Sequence, residues 1–141
     1  MLSIASHAAS LRLSISAGLG YQLGLQLGNH VAGLAREKFY IPYSVLQVRV
    51  DNTQPLAWGM EEHADADKKG IQRVAWFDSN TPLRSGWAMG QENLENGVSM
   101  IDDKIGDGHL ALFGPQILFR GEPHGTFKLL FNGIARAGVK N

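Results

Sequence analysis

A chain of 141 residues suffices for one domain with a modest core, because a domain near this size buries roughly two-thirds of its unfolded surface. Its 13 basic and 13 acidic residues cancel without forming a long run of either sign, so a nucleic-acid-binding stripe and a polybasic membrane anchor have no support. The lack of cysteine excludes thiol nucleophiles, thiolate zinc sites and disulfides together.

Met1 to Leu27 is rich in Ala, Ser, Gly and Leu, with Arg12 as its only charged residue. It lacks a basic start, and Gly18, Gly20, Gly24 and Gly28 interrupt the apolar run, so it matches neither a signal peptide nor a membrane span. Leu2, Ile4 and Ala5 predict a short strand, and His7 to Ala17 a helix carrying Leu11, Ile15 and Leu19 on one face. A chain that begins almost at once with a buried strand reads as if something preceded it. Gly18-x-Gly20-x-x-x-Gly24 has the wrong spacing for a dinucleotide fingerprint.

Ala35 to Pro42 reads as a polar, aromatic connection. Ser44 to Val50 alternates Leu46, Val48 and Val50 against Gln47 and Arg49, as a half-buried strand does. Asp51-Asn52-Thr53-Gln54-Pro55 turns the chain, and Glu61 to Gly70 has no helical face and reads as a surface loop. Ile71 to Phe77 predicts a second strand, and Ser85 to Gly90 a glycine-bracketed aromatic segment. Val98–Ile105 and His109–Gly114 flank Gly106-Asp107-Gly108, a hairpin signal that makes these strands antiparallel neighbours.

From Phe113 to Asn132 an apolar strand, a Gly/Pro-punctuated polar loop and an amphipathic helix follow one another. Phe127, Leu130, Phe131 and Ile134 share one helical face, which predicts that this face covers the core while Lys128, Asn132 and Arg136 point elsewhere. Arg120, Glu122 and His124 gather between Gly121, Pro123 and Gly125, where a strand ends and a helix begins, and open α/β sheets place ligands at such ends. With Lys128 they form the candidate binding group. A guanidinium and an imidazole beside a helix N-terminus suit a carboxylate or phosphate. The bland alternative is that Arg120 pairs with Glu122 and His124 bonds a nearby backbone group.

The order of several short motifs carries a resemblance: Arg36-Glu37-Lys38-Phe39-Tyr40-Ile41-Pro42, Val50-Asp51-Asn52-Thr53-Gln54-Pro55-Leu56-Ala57-Trp58-Gly59-Met60, Ser85-Gly86-Trp87, Leu112-Phe113-Gly114, and the block from Phe119-Arg120 through Pro123-His124-Gly125-Thr126-Phe127-Lys128 to Asn132. Together they resemble the C-terminal accessory domain of large bacterial zinc carboxypeptidases of the carboxypeptidase A class. That domain is similar to class I glutamine amidotransferases. The resemblance implies an α/β fold: a partial glutamine amidotransferase-like, flavodoxin-like three-layer domain with a mixed sheet, a C-terminal β-hairpin and a closing amphipathic helix.

It also implies limits. The parent peptidases hold zinc through a His-x-x-Glu pair and a distant His, and no His-x-x-Glu occurs here, so zinc belongs to the parent's catalytic domain and no cofactor is expected in this chain. The Cys-His-Glu arrangement of the amidotransferases is excluded with cysteine. An earlier half of strand and helix units is missing before Met1, and the Glu61–Gln72 stretch is shorter than in the family. Residues 1–141 therefore read as a single, N-terminally truncated accessory domain without catalytic activity of its own. Its expected partner is the parent's peptidase domain or a second copy, and the parent family belongs to the periplasm or the exterior.

The alternative is a stand-alone ligand- or anion-binding protein, or an interaction module, using the Arg120/His124 loop. Other signals are weaker. His63, Asp65 and Asp67 alternate as metal ligands can, but read as a solvated loop. Asp102, Asp103 and Asp107 lack calcium-loop spacing. Trp58, Trp76 and Trp87 offer stacking rings for sugars, yet each lies beside apolar residues and is expected to pack. No Gly-x-Ser-x-Gly elbow supports a serine hydrolase.

Overall fold

In a computed structural model of the protein, residues 2–6, 19, 22–25, 27–29, 31–60, 72–118 and 124–137 are described. The expected helix at His7–Ala17, the loop at Glu61–Gly70, and Arg120 and Glu122 lie outside them.

The strands follow the alternation of the sequence. They are β1 (Leu2–Ser6), β2 (Ser44–Val50), β3 (Gln72–Trp76), β4 (Leu83–Ser85), β5 (Val98–Ile105) and β6 (Gly108–Phe113), and the helix α1 (Phe127–Ala137) follows. They form one sheet in the order β1-β2-β3-β5-β6, with β4 beside β2. The α/β class is as expected, but every described pairing is antiparallel where a mixed sheet is implied by the resemblance. Neighbours in the chain are mostly neighbours in the sheet, so no parallel crossover is needed between them.

Centrality falls to β2. On one side it pairs along its length with β1, from Leu2 opposite Val48 to Ser6 opposite Ser44. On the other side β4 occupies its first half and β3 its end. The β5–β6 hairpin pairs Met100 with Phe113 through to Ile105 with Gly108, and Gly106 supplies φ +59 at the first position of its two-residue loop.

The core gathers Leu46, Val48 and Val50 from one face of β2 with Val74, Met100 and Leu129 of α1. Ile101 and Leu112, opposite each other across the hairpin and on the other face from Met100, are also buried, so the hairpin is covered on both faces. After β2, the buried Asp51 carboxylate accepts bonds from the Thr53 amide (3.0 Å) and hydroxyl (2.6 Å) and from Gln54 Nε2 (3.3 Å). This aspartate turn leads into a 3₁₀ turn at Pro55–Ala57, with proline at its start.

Candidate functional site

The predicted binding group is only partly in view. His124 sits in a 3₁₀ turn, His124–Thr126, that leads into α1; it is exposed and its ring lies 5.5 Å from that of Phe127 at 54°. Lys128, one turn on, donates from Nζ to the Gly59 carbonyl at 2.6 Å. Each side chain meets its own neighbour, and no described contact joins them. Thr126, fully buried, donates its hydroxyl to the Ile117 carbonyl and so fixes the helix start to the chain leaving β6.

The seating of α1 bears out the expected apolar face only in part. Phe127 and Leu130 are half-buried, Leu130 against the core, but the one buried residue is Leu129, at 0% exposure, while Phe131 and Ile134 are exposed at 63% and 61%. The cause is the 3₁₀ turn beneath it. Short turns end with carbonyls that lack an internal partner, and here the helix's polar side supplies the donors. Asn132 Nδ2 reaches the carbonyls of Leu56 and Trp58, both at 3.0 Å, and Lys128 takes the next, Gly59. The backbone of Gly133 comes so close to Leu56 that an added methyl would lie 3.3 Å from its Cδ1. With Asn132, Gly133 and Arg136 turned inward and Lys128 reaching Gly59 at the surface, Phe131 and Ile134 are turned out.

Arg136 completes this polar side with a cluster that sequence reasoning did not identify. Asp102 follows Met100 by two residues on β5, so alternation puts a carboxylate on the core face, where it is 2% exposed. Arg136 Nη1 hydrogen-bonds to its Oδ2. His109, on β6, brings Nδ1 to 3.6 Å from the other oxygen and Nε2 to 3.3 Å from Arg136 Nη2. The cluster neutralises a buried charge and clamps the end of α1 to the hairpin. An acidic residue at a core-facing place in an alternating strand was the available signal.

Asp102 is thus committed to a guanidinium, and Asp107 lies in the turn of the hairpin. Among the described residues no group of three or more His, Asp or Glu side chains could hold a metal ion. His63, Asp65 and Asp67 lie outside the described residues.

The tryptophans also differ from expectation. Trp58 and Trp87 are exposed rather than packed, and Trp76 is half-buried under the guanidinium of Arg73, 5.1 Å from its ring centre. Comparison with known proteins finds no matching family model, no matching curated protein and no matching solved structure.

Proposed function

We propose that the chain is a non-catalytic accessory domain of a bacterial zinc carboxypeptidase, and that it docks on the peptidase domain of that parent through α1. The observation that carries the reading is the seating of the helix. Its polar side is bound to the body, so Phe131 and Ile134 are left for another surface. The motif order from Arg36 to Asn132 supplies the family, and the parent reaction it implies is zinc-dependent release of C-terminal residues from peptides.

Magnitudes define what the face can do. Covering the exposed parts of Phe131 and Ile134 removes on the order of 200 Å² of apolar surface, worth about 5 kcal/mol. A stable interface takes about 800 Å² from each partner, so these side chains are anchors within a larger contact. The anion-binding alternative is weakened by the commitment of Lys128 to Gly59.

The test uses the purified peptidase domain of such a carboxypeptidase, freed of its own C-terminal domain, titrated calorimetrically with the full chain. Binding is expected, and the double variant F131D/I134D, whose changes fall on exposed positions, is expected to lose it while keeping its melting temperature. Absence of binding, or equal binding by the variant, overturns the proposal. So does peptide hydrolysis by the chain alone with stoichiometric zinc bound.

A further inference from the structure

At the other end of β2 from the α1 seat, exposed aromatic side chains stand on a backbone that is held unusually well. Ser44, the first residue of β2, is completely buried. Its Oγ accepts the Trp87 amide at 3.0 Å, and its single hydroxyl hydrogen lies between the carbonyls of Trp87 (2.6 Å) and Pro42 (2.7 Å). Gly86, with φ +97, lets the chain pass so near that an added Cβ would lie 2.7 Å from Ser44 Oγ. The Trp87 backbone is therefore fixed on both sides, yet its side chain is 50% exposed.

Tyr40 is fixed as well. Its amide and carbonyl exchange two 3.0 Å hydrogen bonds with Met89, and its ring meets Trp87 edge to face with centroids 6.0 Å apart. Arg36 lies over the Tyr40 ring, its guanidinium carbon 4.3 Å from the centre. Tyr43, also exposed, is held at φ +45, a left-handed conformation that a tyrosine rarely adopts.

Exposed Trp, Met and Arg side chains around a half-buried Tyr, on a backbone held by hydrogen bonds, have the composition of protein-binding hot spots. Charge narrows the partner. Stacking on Tyr40 orients the Arg36 guanidinium, and among the described residues no carboxylate forms an ion pair with Arg36, Lys38 or Arg84. A guanidinium held flat on a ring, with its N–H fork unpaired, fits a carboxylate. A neutral sugar would use the rings and offer the fork hydroxyl acceptors, but no charge to match the guanidinium.

We infer that Arg36, Tyr40 and Trp87 form a binding platform for an acidic peptide segment: a Glu or Asp carboxylate sits on Arg36 and an adjacent apolar or proline side chain lies on Trp87. The platform is separate from α1 and does not depend on the carboxypeptidase reading.

The test pans a random heptapeptide display library on the immobilised full chain, with counter-selection on R36Q. The peptides retained are expected to carry Asp or Glu beside an apolar residue. Synthetic versions should lose affinity about tenfold or more against R36Q and against W87A, and when their acid is replaced by its amide. F131D/I134D should bind them as the unaltered chain does, which separates this result from the fate of the α1 reading. Thermal melts identify any variant that fails to fold, and W87L then stands in for W87A. Overturning results are no enrichment over the counter-selection, retained peptides without acids, equal binding by R36Q, or binding of a neutral polysaccharide in affinity electrophoresis in place of peptides.

Discussion

Gly86→Ala isolates the contact that joins β2 to the segment after β4. Two costs add. The φ of +97 lies where an alanine is strained by about 1–2 kcal/mol. The new Cβ would also lie 2.7 Å from Ser44 Oγ, 2.9 Å from its Cα and 3.0 Å from its Cβ, so the buried strand residue or the loop must move. Movement breaks the two bonds that Ser44 Oγ makes with Trp87, at about 1 kcal/mol each. The expected loss is about 3–4 kcal/mol, a large share of the roughly 5–15 kcal/mol that holds a domain together. Gly106→Ala is the internal control: its φ is +59 but nothing lies within 4 Å of the added Cβ, so only the backbone term of about 1 kcal/mol applies. Urea unfolding followed by circular dichroism measures both, with an unchanged denaturant slope as the sign of an unchanged denatured state. If Gly86→Ala falls within 1 kcal/mol of Gly106→Ala, the loop is free to move and the claim that Ser44 locks Trp87 in place is wrong.

Removing one member of the Asp102–Arg136 pair leaves the other charge uncompensated, so Asp102→Leu and Arg136→Met should each cost about 3 kcal/mol, while the double variant should cost less than their sum by urea unfolding. Asn132→Ala should cost about 1 kcal/mol, because two carbonyl contacts are lost and alanine's better helix propensity returns part of it. Lys128→Met, at an exposed bond, should stay within about 0.5 kcal/mol of the parent in the same assay. Asp51→Ala should cost about 2 kcal/mol, since the amide and hydroxyl of Thr53 lose their shared acceptor, and differential scanning calorimetry should show a correspondingly lower melting temperature.

Much of the architecture was legible in the residues. Alternation alone placed β2 over Ser44–Val50 and β5 over Val98–Ile105, and Gly106-Asp107-Gly108 marked the β5–β6 hairpin because few other sequences reverse a chain so tightly. The helix was equally legible, but its orientation only in part: Leu130 meets the core as expected, while Phe131 and Ile134 do not. Periodicity sorts apolar from polar positions and then assumes that burial follows apolarity. Here the deciding partners are the carbonyls of Leu56, Trp58 and Gly59, which no pattern within Phe127–Ala137 reveals. The Asp102–His109–Arg136 cluster was missed for a related reason, since its members come from three elements and meet only in space. The exposure of Trp87 follows from a clamp by Ser44, a residue forty-three positions earlier. Apolar neighbours in the chain gave the opposite indication.

The place of β2 sets an order of assembly. The β5–β6 hairpin closes a two-residue loop and needs nothing distant, so it belongs among the fast local events, on the microsecond scale of about 1–10 μs. β2 has no such partner: it must find β1 far upstream, from Leu2 opposite Val48, and β3 and β4 downstream, and those long closures come at an entropic cost before their contacts form. Early in folding, then, a solvated Asp102 carboxylate stands on a preformed hairpin until Arg136 arrives with the last helix. Mutations at Arg136 should therefore act on the unfolding rate and leave the folding rate nearly unchanged, making the clamp a brake on opening rather than a guide to closing.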